Sequence, residues 1–331
     1  MRTQKWFGVT WVRDRLGRFP LRLGEQMLSR WGLVPGSPPC RTLFLALAVV
    51  FLPAAGIQGD SIRNVQDDVG RRVALEATPR RIVSLAPSVT ETLFALGVGD
   101  RVVGVTDLCD DPPSVRTLPR VGGMLKPDWE SVLRLHPDLV VATTAGNDAA
   151  LVGQAEKLRI PLYFTDAPNL NGLMNSLVRL ASVVGSSARG NDLRRSLEER
   201  IRALEHAAST GPHPRVLFLV WIDPPVVPGS GTLLSDALRR AGVESVTADA
   251  PAGWPTYDLE TLLLRKPEWI VAARHNASSL SGLAGRPGWR DLEAIKLGRL
   301  GTVSPAIERP SPRVVDAMEE LRKLVNGGPS N

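Results

Sequence analysis

The sequence predicts an α/β protein of two lobes, each a parallel-type sheet flanked by helices, joined by one long interdomain helix. Three observations carry this. DWESVLRLHPDLVVA (Asp128 to Ala142) returns 130 positions later as DLETLLLRKPEWIVA (Asp258 to Ala272), with six of fifteen positions identical, as the same supersecondary unit in two related lobes would be. Short apolar runs alternate with helical patterns, which argues for βαβ units and parallel sheets. Between the lobes, Leu193, Leu197, Ile201 and Leu204 recur at helical spacing in a stretch free of Pro and Gly from Asn191 to Ser209. A helix of roughly 20 residues is about 30 Å long. Such a strut is stiffer than extended crossovers, so modest opening and closing is expected.

The elements follow in chain order. Residues 1–56 read as a secretory signal peptide with a long basic leader: a basic stretch precedes TLFLALAVVFL (Thr42 to Leu52), too short to span a bilayer comfortably, and the small residues Ala54, Ala55 and Gly56 mark a cut after about Gly56. A start at Met27 and retention as an N-terminal anchor both stay open. A lipoprotein would need a Cys just after the apolar core, and Cys40 lies before it. Residues 57–78 hold a β-hairpin, IRNVQDDVGRRVAL alternating about a turn at Asp68-Val69-Gly70. The first α/β lobe, 79–186, opens with the strand pattern RRIVSLAP, then a capping box at Ser88-Val89-Thr90-Glu91 that starts a helix ending at Gly97, then a strand at Val102 to Val105. Each repeat copy gives a short helix capped by Asp128 or Asp258, a stop at Pro137 or Pro267, and a strand at Leu139 to Ala142 or Trp269 to Ala272. The interdomain helix takes 187–210. The second lobe, 211–326, runs through the strand RVLFLVW, a turn-rich loop DPPVVPGSG, a helix at Leu233 to Ala241, the second repeat copy and a closing amphipathic helix from Arg313 to Val325.

Composition narrows the function. The 331 residues are 43% hydrophobic, as in a globular protein, and the net charge of +6 is confined to the leader. Residues 1–56 hold eight Lys or Arg and two Asp or Glu, which leaves thirty-two of each sign in the remainder. A neutral body lacks the electrostatic footprint of a nucleic-acid binder. Cys109 is the only cysteine after the leader, so no intrachain disulfide forms there. His136, His206, His213 and His275 are scattered without metal-ligand spacing, and no metal site is predicted. Of the four, His275 follows a second-lobe strand and has a route to a cleft. No His-Glu-x-x-His, Gly-x-Ser-x-Gly or Gly-x-x-x-x-Gly-Lys-Ser sequence is present, so no catalytic residues are assigned.

Ligands of open α/β sheets bind beyond the strand C-termini. That rule selects Ser84 to Ser88, Thr106 to Cys109, Thr143 to Asn147, Val220 to Asp223 and Ala273 to Asn276, joined by Trp254. Trp254 offers a flat apolar face with one N–H donor, suited to stacking on a flat ligand, and Trp221 ends a strand just before Asp-Pro-Pro, on a side that the sequence leaves open. Glu130 and Glu260 hold the same place in the two repeat copies, one carboxylate near each lobe tip, suited to a pair of basic pockets on a two-fold partner. Each also complements its helix dipole, which alone would explain it.

The hairpin with Asp-x-x-Gly-Arg, RIVSLAPSVTETLFALG (Arg81 to Gly97), DDPP (Asp110 to Pro113), KPDWE with PDLVVA, IDPP (Ile222 to Pro225), WPTYDLE (Trp254 to Glu260) and ERPSPR (Glu308 to Arg313) resemble the periplasmic solute-binding proteins of ABC importers. The resemblance covers about Ile62 to Leu324. It is to the class with a single rigid interdomain helix, whose ligands are cobalamin, ferric siderophores and haem, and WPTYDLE and ERPSPR are similar to its cobalamin-binding branch. It implies a periplasmic, monomeric, non-enzymatic receptor without a cofactor. Such a receptor holds a corrinoid, cobalamin foremost, in the interlobe cleft and delivers it to an inner-membrane ABC permease with its ATPase. It implies docking through Glu130 and Glu260, and ligand contact at Leu108, Met124, Thr143, Trp221, Trp254 and Arg309. The chain departs from the branch at Leu108, Met124 and Thr143, where members commonly carry aromatics, and at Pro305-Ala306-Ile307, which replaces an acidic and aromatic stretch. A ferric siderophore or haem is the alternative ligand; an enzyme on a tetrapyrrole or metal centre in a related two-lobed fold is the alternative class.

Overall fold

The computed structural model describes residues 62–327. The expected signal peptide, 1–56, lies outside them. The hairpin forms as its alternation requires: β1 (Arg63–Gln66) pairs antiparallel with β2 (Arg72–Leu75), Arg63 facing Leu75, and the turn is closed by Gly70 at a left-handed φ of 86°. Its turn docks on the first lobe. The side chain of Asp68, fully buried, accepts from Tyr163 Oη at 3.3 Å, Arg179 Nε at 2.5 Å and the Asp166 N–H at 3.0 Å. Burial beside that carboxylate pushes the Tyr163 hydroxyl well above its ordinary pKa.

The first lobe is β3 (Ile82–Ser84), α1 (Pro87–Ala95), β4 (Val102–Val105), α2 (Trp129–Arg134), β5 (Leu139–Thr143), α3 (Leu151–Lys157), β6 (Leu162–Thr165) and α4 (Leu170–Val183). Its sheet is all parallel, in the order β4-β3-β5-β6. The capping box is a correction. α1 begins at Pro87, whose fixed φ suits a first helical position, its N-cap is Ala86 with no side-chain bond, and Ser88 and Glu91 are buried inside the helix. Glu91 instead meets the second lobe, as described below.

The interdomain helix, α5 (Ser187–Ser209), runs 23 residues, about 34 Å at 1.5 Å per residue. It starts four residues before the Pro- and Gly-free stretch and includes Gly190, where α4 packs so close that a Cβ would meet the Cβ of Ala181. The second lobe is β7 (Arg215–Leu219), β8 (Trp221–Ile222), β9 (Pro225–Val226), α6 (Leu233–Arg240), β10 (Glu244–Ser245), α7 (Leu259–Leu264), β11 (Trp269–Ala273), α8 (Ala277–Ser281), α9 (Glu293–Lys296), β12 (Leu300–Val303) and α10 (Val314–Gly327). Its parallel sheet runs β10-β7-β11-β12. Counted along each lobe, both sheets have the order 2-1-3-4, so the sequence repeat is also a repeat of topology. The agreement reaches single residues: His136 and Lys266, matched in the two copies, both take left-handed φ, 45° and 48°, just before the prolines that end α2 and α7.

One apolar core joins the lobes. It runs from Val83's neighbour Ile82, Val141 and Tyr163 through Leu177 and Leu180 of α4 and Leu197, Ile201 and Leu204 of α5 to Val216, Phe218, Leu238 and Leu321 of the second lobe. Smaller clusters cover the outer face of each sheet. Across the lobe boundary the Asp236 carboxylate accepts from the Leu170 N–H at 3.0 Å, and Arg240 donates to Asn171 at 3.2 Å and to Glu205 of α5 at 2.5 Å.

Candidate binding site

In a 2-1-3-4 sheet the connections leave strands 1 and 3 in opposite directions, and the crevice lies beyond the C-termini of those two strands. In each lobe an asparagine just past strand 3 bonds back to the residue just past strand 1. Asn147 Nδ2 donates to Leu85 O at 3.1 Å, and Asn276 Nδ2 to Val220 O at 3.0 Å. The two lobes then diverge. In the first, the end of the Met124 side chain lies against Gly146, and Asn147 Nδ2 also donates to Met124 O at 2.7 Å, so Met124 lies over the turn after strand 3. In the second the crevice is open as a recess of about 90 Å³ lined by Trp221, Ile222, Asp223, Asn276, Ser279 and Arg286.

The loop DPPVVPGSG, expected only as turns, is ordered. Trp221 pairs with Val226 across the β8–β9 hairpin, and the strand continues against residues 253–257: Tyr257 N–H donates to Pro225 O at 2.9 Å, Val227 N–H to Pro255 O at 3.1 Å and Gly229 N–H to Gly253 O at 2.8 Å. The register sets Val226 opposite Thr256 and hence Pro228 opposite Trp254. Side chains of paired residues share a face and alternate residues return to it. Trp221 and Trp254 therefore stand on one face of a three-stranded ribbon, 56% and 49% exposed. The Trp221 indole N–H donates to Asp223 O at 2.8 Å, which fixes the ring and leaves its faces free.

The other candidates separate. Leu108 is 59% exposed on the loop after β4, and Leu125, unmarked in the sequence beyond its Gly- and Pro-rich surroundings, is 73% exposed on the loop beside it; Asp107 N–H donates to Gly122 O at 3.0 Å between the two loops. Met124 is half-buried against the core. Thr143 is buried at 2% exposure, its N–H donating to Asn147 Oδ1 at 2.8 Å, so it has no surface to give a ligand: a residue that closes strand 3 is covered by the turn following it. Cys109 is also buried, its Sγ 3.2 Å from both Thr90 and Thr106 hydroxyls.

Arg309 is held in an ion-pair network between the lobes. Its Nη1 donates to Glu91 Oε1 at 2.6 Å and Asp110 Oδ1 at 3.0 Å, while Arg313 reaches Asp111 at 3.0 Å and Ser311 Oγ donates to Glu91 Oε2. Guanidinium N–H groups pointing elsewhere are all that Arg309 has left for a ligand. Next to it, burial pushes the Glu308 carboxyl up to about 7, and burial followed by the charge of Arg309 lowers the pKa of His275. The His275 Nε2 lies 3.2 Å from Asn276 Nδ2, which can only donate, so that ring nitrogen is already an acceptor. Among the described residues no group of three or more His, Cys, Asp or Glu is placed to hold a metal ion, and no helix is long and apolar enough to cross a membrane.

Glu130 and Glu260 lie in the first turns of α2 and α7, both exposed. Asp128 and Asp258 cap these helices by accepting from the Glu130 N–H at 3.0 Å and the Thr261 N–H at 2.7 Å. Bonds to Ser131 and Thr261 hold both capping carboxyls below the usual range. Glu130 pairs with Arg134 at 2.7 Å, whereas the residue matching Arg134 in the second copy is Leu264, 81% exposed.

Residues 82–305 match the family model described as periplasmic binding protein. The chain belongs to that family. This binding protein is 28% identical over 243 residues to the vitamin B12-binding protein of Vibrio parahaemolyticus, covering 73% of this chain and 87% of the relative. It is 28% identical over 269 residues to an uncharacterized ABC transporter substrate-binding lipoprotein of Bacillus subtilis, covering 79% and 84%. Among solved structures it is similar to the periplasmic haem-binding protein RhuT of Roseiflexus sp. RS-1 in apo form, with TM-score 0.68, 27% identity and 74% and 97% coverage. The periplasmic vitamin B12 binding protein BtuF of Vibrio cholerae, at TM-score 0.65, 24% identity and 75% and 97% coverage, shares the fold of this binding protein.

Proposed function

We propose that this chain is the substrate-binding component of an ABC importer, exported to the periplasm, which captures a corrinoid, cobalamin foremost, and hands it unchanged to an inner-membrane permease and its ATPase. The observation that carries this reading is the pair of half-exposed tryptophans on one face of the ribbon in a chain with 5% aromatic residues. A large flat apolar ligand recovers most from such a surface, since an aromatic side chain buries roughly 150–250 Å² in full and about half of that is still exposed on each indole. The exposed leucines Leu108 and Leu125 give the first lobe an aliphatic surface for the opposite side of the ligand. The vitamin B12-binding relative supports the same assignment. Glu130 and Glu260, exposed at equivalent positions, dock the monomer onto cationic sites of the permease.

Calorimetric titration of the chain from Ile57 onward with cyanocobalamin tests it, with cobinamide, haem and a ferric siderophore alongside. Saturable 1:1 binding of a corrinoid, recovered unchanged, is expected. Saturable binding of haem or siderophore without corrinoid would reassign the ligand and leave the receptor role intact.

A further inference from the structure

The open crevice of the second lobe is too small for a ring system: at about 90 Å³ it falls well below the roughly 300–1,000 Å³ of a site enclosing a whole drug-sized ligand. It has room for several waters or for one polar side arm. Its chemistry is specific. Arg286 Nη1 donates to Asp223 Oδ2 at 3.1 Å, at side-chain exposures of 42% and 76%, so both groups keep donor and acceptor capacity turned to solvent. The Trp221 ring forms one wall, and Asn276, tied to Val220 O, and Ser279 complete the lining.

We infer that this recess is a side-arm subsite that selects a neutral primary carboxamide over a carboxylate. The inference rests on the corrinoid reading above and deepens it. A carboxamide presents one C=O acceptor and one NH₂ donor, which match the Arg286 guanidinium and the Asp223 carboxylate together. The Asp–Arg pair is electrically neutral, so it gives no net attraction to an anion. A carboxylate arm has only acceptors and places its charge against Asp223, an arrangement that repels one ligand while it fits the other. The matching position in the first lobe has no such acid–base pair, and there the Met124 side chain lies over Gly146. The arm therefore orients the ligand, and one arm rather than several is read.

The test compares cyanocobalamin with its monocarboxylic acid derivatives, each with a single amide hydrolysed, on the wild-type chain and on Asp223→Asn and Arg286→Met. Both residues are solvent-accessible loop groups, and unchanged thermal midpoints will confirm folding. One derivative is expected to bind the wild type about tenfold more weakly than cyanocobalamin, the scale of one mismatched charged hydrogen bond. Asp223→Asn should close most of that gap for that derivative alone, and Arg286→Met should weaken cyanocobalamin itself. Derivatives that all bind the wild type equally, or a gap untouched by Asp223→Asn, would overturn the subsite while cyanocobalamin binding stands. Absence of any corrinoid binding to the wild type would overturn the reading beneath it, and the subsite with it.

Discussion

Two carboxylates near the lobe boundary, Glu91 buried and Glu308 partly buried, differ in the partners they have. Glu91 has its charge matched by Arg309 at 2.6 Å, by Arg313 at 3.6 Å and by the Ser311 hydroxyl, so loss of Arg309 leaves the buried carboxylate to the longer Arg313 contact and the hydroxyl, a defect below the roughly 3–5 kcal/mol of a fully unpaired buried charge. Glu308 has a buried Oε1 with no partner among the described residues, and its nearest basic neighbour besides Arg309 is His275 at 3.9 Å, whose own pKa is lowered. Its folded pKa, about 7, exceeds the ordinary 4.5, so between those values the folded protein binds a proton the unfolded chain does not. The stability this group contributes is full below about pH 4.5 and lost as pH rises through 7. Glu308→Gln is expected to raise the thermal midpoint at pH 8 relative to wild type, by on the order of 1–3 kcal/mol in stability, and much less at pH 5. Differential scanning calorimetry at the two pH values checks this, and equal shifts at both would show that Glu308 does not titrate in this range.

At the scale of elements, α2 and α7 are the same device built twice and finished differently. Both begin with an aspartate cap and a first-turn glutamate, but Glu130 is shared with Arg134 while Glu260 stands near the exposed Leu264. Under the proposed function, Glu130→Lys with Glu260→Lys is expected to abolish corrinoid uptake and leave the affinity unchanged; unchanged uptake would remove the docking role. These helices were legible in the sequence because cap, period and proline stop all lie within ten residues. The ribbon bearing Trp221 and Trp254 was not, because its strands are two to five residues long, rich in proline, and paired across about thirty positions of chain. Nor was the role of Glu91. Ser-Val-Thr-Glu fits a capping box locally, and only the placement of Arg309, 218 residues later, shows where the carboxylate goes. The Asp223–Arg286 recess needed the same long-range knowledge, whereas Trp221 and Asn276 were found simply from strand ends.

On the whole molecule, the repeat foretold two lobes but not that a single core would run through both. That core, with Arg200 of α5 held by Glu319 at 2.8 and 2.9 Å and by Asp316 at 2.6 Å on α10, leaves no boundary along which one lobe could melt alone. Urea unfolding is expected to show one transition. In the chain from Ile57 onward four of the five tryptophans, Trp221, Trp254, Trp269 and Trp289, lie in the second lobe and only Trp129 in the first, whereas far-ultraviolet circular dichroism samples both lobes, so two separated midpoints, by tryptophan fluorescence and by dichroism, would refute a common core. A receptor braced in this way has a further property. When a binding-competent shape is a minor member of an ensemble, observed affinity is diluted by its rarity, and any mutation or temperature change that shifts the ensemble shifts the affinity too. With α5 and the shared core bracing the lobes, the free and the competent forms are expected to lie close together in population, so that how tightly a ligand is held depends mainly on the chemistry of the surfaces it meets and little on how often the door is open.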